Sequence, residues 1–573
     1  MLRSLVGSEM CIRDRYSINS TNDNVDLSRM LKLKEIGKSA FSGCERIVGL
    51  QLGSAIEKVG EQAFAGLTAL TELKFTESDS DTAGSMMIGT AAFSGCTNLV
   101  KVTIPKYIGE IGNSAFSGCI KLMRLNLAEG IQTIGKQAFS GCTRLEGALE
   151  SGSLLDKDEY TYIGPNGATI ILSDQNACLV IPESVTQIGE GAFENCAAAD
   201  LEEIGGKSYI IGIKNVNIKG NKDKGTTIGV SAFAGCQNLT KLTLGEGVTG
   251  LGDSALKDTR LEEITIPSTF ETGTAKNSPF TSGENSTLKK VTFADGIQVI
   301  PQYFLNNITT LTEIEIPASV QKIGDHAFAD CSNLKTVTFK EQATSKLTTI
   351  DTSAFEGCSL MTLSKLPDGV TTINASAFKD CKKISLTDLP TGLITIGNAA
   401  FENCTMLQID KLPAITALGM AAFKNCVNLP FLSVDTSNLA EINATAFEGC
   451  TGLTDVRIDG GEKKQTTIAD GAFATCENLN WVIINNIKSV GKKAFTNLPI
   501  SLLNINQVDA IGESAFAGCD KLENPVIQNT KTIGASAFAG SGAQTDDNKV
   551  LLDSIQNAVS YTHLRAHETP EHL

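Results

Sequence analysis

One tryptophan, four histidines and no apolar run long enough to cross a bilayer mark what this 573-residue chain lacks. Without such a run, about 18 residues or more, there is no candidate transmembrane helix. Basic residues are also in deficit. The 48 Lys and Arg stand against 64 Asp and Glu, a net charge of −16, which gives a nucleic acid no electrostatic footprint. Lys and Glu are scattered along the chain, as on an ordinary solvated surface.

The scarcity of histidine excludes more. His563, His567 and His572 all lie in the closing VSYTHLRAHETPEHL (559–573). That segment and the opening MLRSLVGSEMCIRDR (1–15) carry none of the pattern found elsewhere and read as translated sequencing-adaptor sequence. Both are set aside from fold reasoning, so a signal peptide or anchor is not expected to be visible here. His326 is then the sole histidine, at a variable position between Gly324 and Ala327. A Ser-His-Asp or Cys-His arrangement would have to use it, and it reads instead as a surface residue. No Asp or Glu pair stands out for two-carboxylate hydrolysis. No Walker or Rossmann glycine motif follows a strand and opens a helix, and no CxxC pair or Cys/His ligand set exists outside the tail. The sequence predicts no catalytic residue, no cofactor and no metal.

What is present is a period. Ile-Gly-x-x-Ala-Phe, with Cys three residues after Phe, occurs as IGTAAFSGC (Ile88 to Cys96), IGNSAFSGC (Ile111 to Cys119), IGKQAFSGC (Ile134 to Cys142) and IGDHAFADC (Ile323 to Cys331), among others. Phe93, Phe116 and Phe139 are 23 residues apart, as are Phe355, Phe378 and Phe401. A fixed period in this range marks a solenoid, in which each repeat packs on its neighbours and none folds alone. Counting Leu256, Phe280 and Phe304 in the Phe slot gives 20 repeats. The intervals from Phe139 to Phe193 and Phe193 to Phe233, 54 and 40 residues, are not single periods. They predict a degenerate repeat or long loops, with polar tips such as Gly220–Gly225, and TESDSDTAG (76–84) reads as a solvated bulge.

After each Cys slot comes Leu-x-x-apolar-x-apolar, as in Leu99, Val102 and Ile104, or Leu122, Leu125 and Leu127. The last two positions alternate with polar residues, the period of a half-buried strand, and Pro105, Pro267 or Pro317 ends it. Each repeat thus predicts one core strand, a return segment and a turn or single-turn helix, stacked into a parallel sheet. In the repeats of Phe355, Phe378 and Phe401, Ser364, Thr387 and Asp410 fall at the middle apolar position, with Leu363, Leu386 and Ile409 one residue early. A shifted or bulged strand is expected there. The organisation reads as a flank at 16–35, repeats at 36–146, an irregular region at 147–226, repeats at 227–540 and a flank at 541–558.

These motifs resemble the BspA-like leucine-rich repeat family from about Ile36 to Ala539. The resemblance implies a curved solenoid with a parallel sheet on its concave face and short strands and turns on the return side. It also implies surface-exposed or secreted proteins that act as adhesins toward host proteins.

Sixteen cysteines invite a disulfide framework. Fourteen of them occupy the slot three residues after Phe, which Leu67, Thr259, Asn307, Leu498 and Ser541 fill elsewhere. A slot that accepts Leu or Ser is a small packing position, and stacked cysteines on successive rungs have parallel Cα–Cβ vectors that suit a disulfide poorly. Buried thiols are predicted.

The informative positions are the outward ones of the core strand. These form a mixed polar ladder that includes Lys101, Arg124, Lys241, Lys290, Glu313, Glu315, Asp455 and Arg457. Most are ordinary solvent-facing residues. Trp481 and Ile483 differ, because an exposed Trp beside Ile is the kind of anchor found at binding hot spots; the competing reading is a ring covered by a loop. The sequence predicts a non-enzymatic array that binds a protein ligand, at the cell surface or secreted, with no membrane insertion. An intracellular interaction scaffold and the targeting region of a larger enzyme remain open alternatives.

Overall fold

The computed structural model describes residues 23–76, 84–146, 177–197, 211–271, 276–341, 344–463 and 465–542, with the backbone of strands at 161–163, 169–171, 202–204, 207–209 and 555–556. The adaptor-like ends, residues 77–83 of the segment expected to bulge (76–84) and most of 147–176 lie outside these residues. The chain divides into two compact units, 1–297 and 298–573. Each is a parallel β-solenoid.

Alternating side chains create the first strand of most turns. In Lys101–Ile104 the residues alternate outward and inward, with Val102 and Ile104 wholly buried. This strand pairs in parallel register with Glu72–Phe75 on one side and Arg124–Leu127 on the other. A second, two-residue strand ends at the Ile before Gly. Thr133–Ile134 pairs with Ile108–Ile111 and with Gln187–Ile188. The glycine that follows is required by the stacking, since a Cβ on Gly112 would lie 2.7 Å from the carbonyl oxygen of Ile88 in the preceding turn.

Ala-Phe then enters a chain of turns; no helix forms there. The N–H groups of Ser114, Phe116 and Gly118 donate to Lys136, Ala138 and Ser140 of the next turn at 2.7–2.9 Å. Between them, Ala115, Ser117 and Cys119 donate to carbonyls three residues back. This zigzag demands positive φ at two places. Two residues after Phe it is met by Gly118 (73°), Asn403 (63°) or Asp380 (61°), residue types that tolerate the left-handed region. Two residues before Phe it falls on Ser114 (54°), Gln137 (53°) or Ala399 (54°), where the bonds between turns must hold the strain.

In the first unit the Phe rings from Phe41 to Phe233 stack face to face, with adjacent centroids 5.0–5.3 Å apart. Phe139 lies directly on Phe193, and Phe193 on Phe233, so each long interval spans a single turn. The extra length includes antiparallel hairpins at Thr161–Ile163/Thr169–Ile171 and Glu202–Ile204/Lys207–Tyr209. Leu256 pairs with Phe280, as its slot required.

In the second unit the stack runs from Phe328 to Phe538 at 4.8–5.5 Å. Phe304 is displaced by one from the slot assigned to it. Leu305 makes the slot's backbone bond to Ala327, and Ile308, not Asn307, fills the Cys slot. In the displaced-leucine repeats no long strand forms between Thr336–Phe339 and Lys411–Leu412, where a single bridge joins Thr336 to Thr362. Leu363, Leu366, Leu386 and Leu389 are buried at a spacing of three rather than two, which no strand supports. The short strands continue unbroken through this block.

Candidate functional site

The cysteine ladder is structural in its geometry. The thiols of Cys381, Cys404, Cys426 and Cys450 each donate to the carbonyl of the Phe slot one turn earlier, at 3.0–3.1 Å. Burial pushes the Cys331 and Cys476 thiols up to about 12. These are poor nucleophiles.

His326 offers no more chemistry. Its Nδ1 lies 2.8 Å from Oδ1 of Asp325, and its ring stacks on Tyr303 at 4.7 Å. Among the described residues no group of three or more His, Cys, Asp or Glu is placed to hold a metal ion. A cavity of about 330 Å³ in the first unit is lined by Gly130, Gln132, Ser184, Thr186, Asn221 and Lys224.

The outward positions of the long strands are dispersed over several sheets. Lys101 and Arg124 are register partners, but Arg124 is half-buried, with Nη1 2.9 Å from the carboxylate of buried Glu146. Lys241 stands beside Asn215, Lys290 beside Glu263, and Glu313 and Glu315 beside Thr336 and Thr338. Only Asp455, Arg457, Trp481 and Ile483 meet as a group, Asp455 opposite Trp481 and Arg457 opposite Ile483.

That group belongs to a larger surface. The strands Phe431–Asp435, Asp455–Asp459, Trp481–Asn485, Leu502–Asn506 and Val526–Gln528 pair in order. On their outward face Phe431 is 39% exposed, Trp481 49%, Leu502 39% and Val526 41%. Trp481 is the most exposed of the four. Sequence reasoning passed over Phe431, Leu502 and Val526, although the slot that revealed Trp481 would have revealed Phe431 and Leu502. From Trp481 onward the outward positions, Trp481, Ile483, Asn485, Leu502, Asn504, Asn506, Val526 and Gln528, carry no charge. Loss of charge together with gain of aromatic side chains is the compositional signal of an interface core.

A family model for a BspA-type leucine-rich repeat region, six copies long, matches residues 17–146, 80–166, 172–272, 208–335, 276–384, 348–464 and 440–559. The chain belongs to the BspA-type leucine-rich repeat family. Membership implies a protein-interaction role, and such solenoids are typically non-enzymatic. Among solved structures it is similar to a leucine-rich repeat protein of Bacteroides ovatus, with 21% identity over 77% of this chain and 84% of that one, at a TM-score of 0.34. A leucine-rich cell surface protein of Faecalibacterium prausnitzii has 18% identity over 92% and 86%, at 0.21. The pneumococcal vaccine antigen PcpA has 15% identity over 78% and 79%, at 0.28. No curated protein matches the chain. No helix among the described residues of this BspA-type array is long and apolar enough to cross a membrane.

Proposed function

We propose that this BspA-type array is a secreted or cell-surface adhesive protein that binds a host or matrix protein through the outward face of its long strands. The observation that carries the reading is one sheet face on which Phe431, Trp481, Leu502 and Val526 are exposed and whose outward positions carry no charge from Trp481 onward. Such a surface is unfavourable to expose and is typical of interaction sites. Family membership supports the protein-binding role.

The test is capture of the chain on immobilised extracellular-matrix proteins, comparing Trp481→Ala with Thr336→Ala. Loss of the Trp481 ring is expected to weaken capture roughly thirtyfold, since an aromatic anchor carries about 2 kcal/mol or more. The stability change for an exposed ring should stay within about 0.5 kcal/mol. Equal capture by both variants would overturn the proposal.

A further inference from the structure

The row that contains Trp481 has a chemistry of its own. Phe431, Asp455 and Trp481 are direct register neighbours on three adjacent strands, a carboxylate between two exposed aromatic side chains. Parallel strands lie about 4.8 Å apart, so a cation seated over Asp455 is about 5 Å from the side chain on either hand. That is inside the roughly 6 Å reach of a cation–π interaction, and the aromatic and carboxylate attractions add. One carboxylate oxygen of Asp455 accepts from the Thr454 hydroxyl. The other accepts no hydrogen bond among the described residues. Among the described residues no cation pairs with Asp455, and Arg457 on the same strand turns to Asp459.

We infer that this row is a receptor for a cationic side chain of a partner protein, an Arg or Lys flanked by apolar residues. The inference rests on the protein-binding reading above and names the partner's chemistry. The cation enters between Phe431 and Trp481, and its apolar neighbours lie on Ile483, Leu502 and Val526. Charge complementarity favours this occupant, locally through Asp455 and globally through a net charge of −16. A second copy of the chain fits less well. Five strands of about 17 Å by 4.8 Å each give a face of roughly 400 Å², about half of what one partner gives to a standard interface.

Trp481 is the only tryptophan, so its emission reports on the site alone. The probes are the capped peptide Gly-Leu-Arg-Val-Gly and the same peptide with neutral citrulline in place of Arg. The Arg peptide is expected to saturate the emission change at a concentration at least tenfold below the citrulline peptide. Asp455→Asn should abolish that discrimination, and Phe431→Ala should weaken the Arg peptide several-fold, both with unchanged unfolding midpoints. Equal response to the two peptides, or intact discrimination in Asp455→Asn, would overturn the inference. So would an emission change driven by a neutral oligosaccharide, or by protein concentration alone. Loss of matrix capture in Trp481→Ala alongside equal peptide responses would sink the cation receptor and leave the protein-binding reading standing.

Discussion

At the scale of single residues, the Cys slot shows how one side chain serves the stack. The Phe carbonyl already accepts the N–H three residues on, and the thiol of the next turn occupies its other lone pair. Serine would bond better but bury a stronger polar group, whereas cysteine behaves as a small hydrophobe with a weak donor. Burial raises the folded thiols, to about 11 for Cys519 and about 12 for Cys331 and Cys476. In the unfolded chain they ionise near 8.5. Stability from these thiols is therefore complete below that pH and declines as pH rises toward 11–12, because only the unfolded state releases the protons. Each thiol contributes a slope of about 1.4 kcal/mol per pH unit at most. Denaturant midpoints measured from pH 8 to 11 should fall steeply. A variant with Ala at positions 331, 476 and 519 should show a shallower fall, and an equal slope would refute the assignment.

At the scale of the element, a turn is fixed by backbone contacts as much as by its core. Gly112 and Gly250 both sit in extended or turn backbone without positive φ, yet they differ in surroundings. A Cβ at position 112 meets the carbonyl of Ile88, whereas one at 250 meets nothing within 4 Å. Gly112→Ala should destabilise the chain by roughly 1–3 kcal/mol through overpacking, while Gly250→Ala should be neutral or slightly stabilising. Thermal unfolding of the two variants measures the contrast, and equal effects would contradict it. Much of this element was legible in the sequence. The Ile-Gly frame, the alternating strand and the Phe slot each have a strong local signature. Phe304 misled because an aromatic was sought in the slot, although Ile300-Pro301 kept the frame and placed Leu305 there. The positive φ two residues before Phe was invisible, since Ser, Gln and Ala do not advertise it. The site was half legible. Trp481 stood out by composition, but the pairing of Phe431 with Asp455 is a register fact that lies 24 residues apart in the chain. Arg124 looked free because its partner, Glu146, lies one turn away.

At the scale of the whole molecule, stability in a solenoid is a sum over neighbouring turns, so the weakest junctions set where it opens. In the second unit those junctions fall where the long strands are missing. Amides of Ser364 and Thr387, outside any ladder, should exchange with solvent much faster than those of Val482 and Ile484 within the five-residue strand Trp481–Asn485. Native-state hydrogen exchange resolves the two groups, and uniform protection would show that the short strands and the Phe stack hold the block as firmly as long strands hold the rest.

The hydrogen bonds that join one turn to the next run from the Phe backbone N–H to the Ala carbonyl of the following turn, whichever turn that is. Successive turns are thus interchangeable at their boundaries. Excision of residues 379–401 would splice Phe378 to Glu402, with Asn403 and Cys404 arriving in their usual slots and Phe378 facing Phe423. Unequal crossing-over between repeats of the gene can therefore lengthen or shorten the array in whole periods without breaking its frame. Reach becomes a heritable variable, separate from the face carried at Phe431–Gln528.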